Sequence, residues 1–356
     1  MTPEQEVTGV GMPVSLARLA SYMDVVGIQG NRILGRIREP LVENVARLKA
    51  LFESSGATAY FERSGDTHAI TYGYRPPSRR PKVWINALLF VATIATTLFV
   101  GSFNRGGSPF ARPLDLLLGV PFSFGILLVL GSHELAHYLA ARRLGVEATL
   151  PYFLPVPHPM TGTMGAFIRI TSPVPSKGAL VRVGVAGPLV GFLVALPVTV
   201  IGLALSKPVT ASTAAGIQLG SPIVFWVISQ LLHPRLGAGA DLMLHPLAFA
   251  GGLGMFVTAL NLLPVGQLDG GHIAYAVFGR RWYRWSWVVI GALLLLGFFW
   301  LGWPFWAVLS VIFGLKHPPP LDDITPLSRT ERWLALAGVI LIVLTFTPAP
   351  FGSVHF

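Results

Sequence analysis

Residues 114–141 form a largely apolar run long enough to cross a bilayer, yet well past Asp115 at its start His133, Glu134 and His137 interrupt it with three ionisable side chains in little more than one helical turn. On a helix of 3.6 residues per turn the two histidines, four positions apart, share one face at roughly 6 Å and can grip a single zinc ion. Glu134 then projects beside the metal, not onto it. An ionisable group in a spanning segment costs several kcal/mol unless it is paired or metal-bound, so two helix-surface histidines with a glutamate between them do not suit these surroundings. A zinc site with its own general base, set where water is scarce, points to peptide hydrolysis within a membrane.

Composition agrees: 53% of residues are hydrophobic, 12% are charged, and 39 Gly and 29 Pro are present, as membrane helices tolerate. The net charge of +10 does not describe a nucleic-acid binder, because Lys and Arg occur in short clusters at the ends of apolar runs, the positive-inside pattern. With no Cys in the chain, disulfides and thiolate ligands are excluded, and the metal must be held by His and carboxylate.

The expected fold is a polytopic α-helical membrane protein of about seven spans, preceded by a small soluble α+β N-terminal domain over 1–82. Within that domain Asn31 to Arg38 alternates like a strand, with Ile33 and Ile37 on one side. Pro40 opens a helix whose Leu41, Val45, Leu48, Leu51 and Phe52 share a face, and Gly56 ends it. Ala57 to Phe61 and His68 to Tyr74 read as strands around a Ser64-Gly65-Asp66 turn. No apolar run of signal-peptide form precedes them, Glu4 and Glu6 argue against a transit peptide, and Arg75 to Lys82 links the domain to the membrane.

The membrane domain is expected over 83–348, with spans near Trp84 to Ser102, Leu114 to Ala141, Ala179 to Leu205, His245 to Val265, Trp285 to Leu301, Trp303 to Leu315 and Trp333 to Thr347. Its core is 114–275, and 84–102, 285–315 and 333–347 are peripheral. The two short segments flanking Gly302 suit a helical hairpin. Arg79, Arg80, Lys82, Arg142, Arg143, Lys177, Arg182, Arg280, Arg281 and Arg284 mark cytoplasmic ends, which puts the N-terminal domain inside and the C-terminal tail outside an inner (plasma) membrane. The apolar stretch Ile217 to Leu232 is assigned to an interfacial helix or shallow hairpin. Were it to cross, the next span would reverse and carry its carboxylate to the opposite membrane face from the histidines.

That carboxylate is Asp269. Catalytic zinc normally takes three protein ligands plus water, and of the few acidic residues after the His133 helix only Asp269 adjoins a span at the needed depth. Pro264, Gly266, Gly270 and Gly271 make the backbone around it irregular, which at membrane depth is tolerated where it lines a buried or wet cavity. An Asp before Gly-Gly is also a common turn. Depth favours the ligand: the histidines lie five to nine residues before Arg142, roughly 8–14 Å of helix, and Asp269 a comparable distance before Arg280.

His-Glu-Leu-Ala-His on one spanning helix, with Asn261 leading to Leu268-Asp269-Gly270-Gly271 on a later one, resembles the site-2 protease family of intramembrane zinc metalloproteases over about Leu114 to Tyr275. Leu262 stands where the family usually has Pro after the Asn. The wording ALNLLPVGQLDGGH, with Gly30-Asn31 in the N-terminal domain, is similar to the branch of the chloroplast EGY proteases and their bacterial relatives. The resemblance implies one Zn2+ per chain on His133, His137 and Asp269, and Glu134 as general base. It implies an amide donor from Asn261 to the substrate backbone or developing oxyanion, although Asn261 also suits a helix-breaking, backbone-bonded residue. The strand-like Met164 to Thr171 becomes part of a membrane-re-entrant β-loop, with Gly165 and Phe167 binding an extended substrate by strand addition, or else a strand closing the cavity floor. The implied partners are a membrane-protein substrate with a single transmembrane segment and the lipid bilayer.

Gly184, Gly187 and Gly191 are read as allowing close helix packing, with Pro188 bending the same helix. His272, one turn after Asp269, could reach the metal or bond to a ligand, the latter being favoured. His158 is read as solvent-facing, and His317, Asp322 and Asp323 as a polar cytoplasmic loop without assigned chemistry. A metal-ion transporter on the same residues is disfavoured, since transport has no use for a general base between the histidines. A catalytically silent scaffold is the remaining alternative.

Overall fold

An apolar face must be covered, and the first eighty residues and the rest of the chain do this in two different ways. The computed structural model describes residues 12–74, 82–156, 158, 160–210, 219–234 and 240–352. Glu4, Glu6, residues 75–81 of the linker and residues 217–218 of the omitted apolar stretch lie outside the described residues. The chain divides into two units, the first joining the N-terminal residues with Pro173–Ala179 and Pro318–Ser328.

In the first unit α1 (Leu16–Ala20) leads into β1 (Met23–Gln29), β2 (Arg32–Ile37), α2 (Leu41–Ser54), β3 (Thr58–Ser64) and β4 (Thr67–Gly73), and the strands form an antiparallel sheet in the order β1-β2-β4-β3. Gly30 and Gly65, at φ +59° and +62°, supply the left-handed turns that join its hairpins. Ile33, Ile37, Phe61 and Ile70 from the sheet and Val45, Leu48 and Phe52 from α2 make one buried cluster. The α2 periodicity and the β2, β3 and β4 patterns carry over from the sequence. Neither α1 nor β1 was expected, because α1 has only five residues and β1 breaks its alternation at a register shift between Val25 and Gly27. Asn31 closes the β1–β2 turn onto β4: its side chain donates to the Tyr72 carbonyl (2.8 Å), while its own carbonyl accepts from the Tyr72 amide (3.0 Å).

The edge of β3 is covered by chain from far along the sequence. Phe61 N–H donates to Leu321 O (2.6 Å), Asp323 N–H donates to Phe61 O (3.0 Å), and Leu321 N–H donates to Val174 O (2.8 Å). Covering an edge strand removes a template for unwanted pairing. The Asp322 carboxylate accepts from the amides of Ile324 and Thr325 (3.1 and 2.9 Å), which turns the chain there. The polar loop without assigned chemistry thus has a structural account in Asp322 and Asp323.

The second unit holds three helices long and apolar enough to cross a membrane: α3 (Val83–Phe103), the continuous Pro113–Arg143 segment, and α5 (Lys177–Ala204), whose first residues belong to the first unit. The Pro113–Arg143 segment is one 3-10 stretch, Pro113–Gly119, continued by α4 (Val120–Arg143). Shorter helices follow as α6 (Ile223–Leu232), α7 (Pro246–Asn261), α8 (Asp269–Phe278), α9 (Trp282–Leu296), α10 (Gly302–Phe313) and α11 (Arg329–Thr345). A short hairpin of β5 (Tyr152–Pro155) with β6 (Thr163–Phe167), and a second antiparallel pair of β7 (Lys207–Thr210) with β8 (Ala240–Met243) that brackets α6, complete it.

Leu88, Val91, Phe124, Leu128, Leu193, Ile201, Val288, Val308, Ile312 and Val343 are exposed on these helices, a surface suited to lipid, not to water. Without a hydrophobic force between helices in lipid, close packing must come from small residues. A Cβ on Gly251 of α7 would lie 2.2 Å from Thr199 Oγ1 of α5, and one on Gly254 would lie 2.7 Å from Val129 of α4. Helix α7 therefore meets the backbone of α5 at Thr199 and packs its own backbone on the Val129 side chain of α4. The β5–β6 hairpin runs along α3: Asn86 donates to the carbonyls of Leu150 and Pro151 (2.8 and 2.9 Å), and Gly162 near the tip packs against the backbone of Thr96 and Thr97. Ten residues of helix separate those contacts, roughly 15 Å.

Candidate metal centre

On α4 the side chains of His133, Glu134 and His137 are buried, whereas Leu135 and Leu139 are exposed on the opposite face. Asp269 opens α8 after the Leu262–Leu268 segment. That segment is not a helix, and the reason lies in backbone contact. A Cβ on Gly270 would lie 2.0 Å from Leu262 O, and one on Gly271 2.3 Å from Gly266 O, while Gly266 itself has φ +54°. The glycines fold the segment back on itself and aim Asp269 at α4.

There the donor atoms converge. His137 Nε2 lies 3.1 Å from His133 Nε2 and 3.1 Å from Asp269 Oδ2, and His133 Nε2 lies 3.3 Å from the same oxygen. In tetrahedral coordination at zinc–ligand bonds of 2.0–2.1 Å, neighbouring donors stand about 3.3 Å apart. The three atoms thus form one face of such a tetrahedron, and they are the one cluster of at least three His, Cys, Asp or Glu with metal-binding geometry among the described residues. The residues fit zinc in number, type and spacing.

His137 is oriented by α5. Its Nδ1 lies 2.8 Å from the Val183 carbonyl, which only accepts, so Nδ1 carries the proton and Nε2 presents its lone pair to the cluster. The glycines of α5 make this approach possible, each against a different residue of the cluster. A Cβ on Gly187 would stand 2.0 Å from His137 Nε2, one on Gly191 2.9 Å from His133 Nδ1, and one on Gly184 3.0 Å from Asp269 O. The sequence marks these glycines as small packing residues but carries no signal that their neighbours are the histidine rings. Nor does it point to the Val183 carbonyl, which is backbone.

Asn261, the last residue of α7, places Nδ2 3.3 Å from His133 Nε2. Gly165 and Phe167 lie on β6. Gly165 has φ +99°, a conformation that favours glycine, and the half-exposed Phe167 ring stacks on Tyr152 at 5.6 Å. His272 does not join the cluster; its Nδ1 hydrogen-bonds to His317 Nε2. His158 accepts from the Met160 amide at an exposed position (3.3 Å).

The model of peptidase family M50 matches residues 121–298, half of the chain. Among curated proteins the chain is 33% identical over 244 residues to the probable zinc metalloprotease EGY1, chloroplastic, of Arabidopsis thaliana, covering 64% of this chain and 43% of the relative. It is 33% identical over 297 residues to the EGY1 protein of Oryza sativa subsp. japonica (74% and 50%), and 30% identical over 368 residues to the EGY3 protein of Oryza sativa subsp. indica (91% and 61%). The chain spans about half the length of the curated relatives it matches. No solved structure matches it. With the M50 match spanning both the His133–His137 helix and Asp269, the chain belongs to peptidase family M50, the zinc metalloproteases of the site-2 protease type.

Proposed function

We propose that this chain is an intramembrane zinc endopeptidase that hydrolyses peptide bonds within or near the transmembrane segment of membrane-protein substrates, with one zinc ion held by His133, His137 and Asp269. The near-equilateral triangle of two imidazole nitrogens and a carboxylate oxygen, with sides of 3.1–3.3 Å, carries this reading. With His137 Nδ1 protonated, its Nε2 lone pair faces the Asp269 carboxylate oxygen, an arrangement that a shared cation relieves.

Bound there, zinc supplies a Lewis acid that lowers the pKa of water toward about 7 and polarises the scissile carbonyl. Glu134, buried beside His133 and outside the triangle, takes the proton of the attacking water and returns it to the amine nitrogen as the C–N bond breaks. General acid–base catalysis of this kind contributes typically about 10²–10⁴-fold. Asn261 Nδ2 directs an N–H donor into the same space and serves the developing oxyanion. A helical substrate hides its carbonyls in its own hydrogen bonds and must be extended before attack. The β5–β6 hairpin, with Gly165 and Phe167, provides a strand for that purpose, and its course along α3 from Asn86 to Thr97 supports entry of the hairpin into the membrane.

Seven spans follow in this reading, formed by α3, the 113–143 segment, α5, α7, α9, α10 and α11, with Lys82, Arg142, Arg143 and Lys177 on the cytoplasmic side together with the N-terminal unit. Helix α6, with ten residues, is assigned to the interface, because a crossing there would reverse α7 and carry Asp269 to the opposite membrane face from His133 and His137.

The test compares membranes of cells carrying the active protein with those carrying Glu134→Gln. A protease keeps its zinc, loses cleavage by about 10²-fold or more, and leaves a full-length membrane protein accumulating in the variant. Zinc flux that survives in Glu134→Gln would establish a transporter instead. Asp269→Ala must abolish zinc binding; unchanged metal content would move the ligand elsewhere.

A further inference from the structure

Outside the cluster, the described membrane unit holds a second close pair of imidazoles that the proposed chemistry does not use. His272 sits on α8 three residues after Asp269, in the first turn of the helix, and its Nδ1 hydrogen-bonds to His317 Nε2. The two rings meet edge to face at 4.7 Å, and the His317 ring also lies 4.7 Å from the Tyr275 ring, one turn further along α8. The chain leading to His317 is itself pressed onto the segment that carries Asp269. A Cβ on Gly266 would lie 2.4 Å from Gly314 O and 3.6 Å from Leu315 Cα.

These contacts form a strap. Residues 314–317 cross the corner between the Leu262–Leu268 segment and α8, and His317 fastens them to the helix turn that begins with Asp269. Gly266, Gly270 and Gly271 bring no side chains to this corner, so the His317 contact adds a side-chain fastening to the packing of Leu263 and Val265. Residues three apart on a helix share a face, so a force that fixes His272 fixes the azimuth of Asp269.

We propose that His317 is a positioning residue for the metal centre: through its hydrogen bond to His272 it holds the first turn of α8 so that Asp269 Oδ2 stays within reach of His133 and His137. The inference rests on Asp269 being a zinc ligand. His317 touches no reacting group in this scheme, and its effect is exerted on the affinity of the site for metal. Partners that orient a metal ligand typically change affinity about 10–100-fold when removed.

The experiment measures zinc affinity of the full-length protein in detergent by competition with a chromophoric chelator, alongside the visible absorption spectrum of the Co2+-substituted protein. Three variants are compared: His317→Gln, which keeps a nitrogen-bearing side chain near the Nε2 position; His317→Phe, which keeps the ring against Tyr275 without the hydrogen bond; and Asp269→Ala. The expected result is a loss of affinity of about 10–100-fold and an altered Co2+ spectrum in His317→Phe, with His317→Gln within about threefold of the natural protein. Thermal midpoints of the Phe and Gln variants, measured without metal, should match, which separates positioning from general destabilisation. Wild-type affinity and spectrum in His317→Phe, or equal losses in Phe and Gln, would overturn the proposal while leaving the Asp269 assignment intact. Undiminished zinc binding by Asp269→Ala would instead overturn the assignment on which it rests.

Discussion

The N-terminal unit and the membrane unit handle ionisable side chains in opposite ways. In the first, Arg38 pairs with Asp24 (2.6 Å) and Arg47 with Glu43, all with half or more of the side chain in solvent. Such pairs are screened and contribute little. In the second, His133, Glu134 and His137 are buried and gather with the partly buried Asp269, where each isolated charge would cost several kcal/mol. A charged residue in the N-terminal unit therefore says little about function. In the membrane unit a buried ionisable group calls for a partner that compensates it, and three donors at tetrahedral spacing suit the cation proposed above.

The comparison can be broken most decisively at Gly187. Because a Cβ there would overlap His137 Nε2, Gly187→Ala should eliminate zinc binding and cleavage together. Gly291→Ala on α9, where a Cβ meets nothing within 4 Å, should change neither. Metal content of the two purified proteins decides this, and zinc retained by Gly187→Ala would show that α5 can withdraw without loss of the site. A smaller effect is expected at Asn261. Its replacement by Ala should leave zinc bound and lower kcat by about 10²–10³-fold, the usual result of removing one oxyanion donor; single-turnover cleavage at saturating substrate measures it.

On the N-terminal side the expected effects are weaker and depend on solvent conditions. Burial, with Arg63 and Arg36 nearby, holds the His68 pKa below its ordinary value of 6.5, and its Nδ1 accepts the Ile37 amide (3.2 Å). The unfolded chain then binds the proton more readily than the folded one, so this contribution to stability is complete above pH 6.5 and is lost as pH falls through the depressed folded value. Hydrogen exchange at Ile37, corrected for intrinsic rate, should become less protected between pH 7.5 and 5.5 in the natural protein, and His68→Asn should flatten that dependence. The smallest effect belongs to Asp24→Ala, which should cost about 0.2–1 kcal/mol and less at high salt. A larger loss, read from denaturant midpoints of the N-terminal unit, would mean that its surface pairs matter as the buried ones do.

Much of this organisation is legible from residues alone. Val45, Leu48 and Phe52 announce α2 because burial on one helix face imposes a 3.6-residue period. His133 and His137 announce a metal pair because four residues bring side chains to one face. Asp269 is legible only through elimination and depth, since its partners lie more than 130 residues away. The β1 strand is hidden by its bulge, and the cover on β3 is hidden because Leu321 and Asp323 contribute backbone groups, which carry no residue signature. His272 is visible as a histidine near the site, but its partner is not: nothing in the spacing of His272 and His317, 45 residues apart, announces a contact.

By itself the sequence determined the identity of the donors, the periodicity that puts two of them on one helix, and the apolar surroundings that make an unpaired charge untenable. These are local properties, set by covalent spacing and by transfer free energy. The tertiary structure decided how closely the Asp269 carboxylate meets the histidines, which tautomer His137 adopts against Val183, and how near α5 can come at Gly187. Each of those depends on close approaches of about 3 Å between segments far apart in the chain, and such approaches follow from packing, which no local pattern encodes.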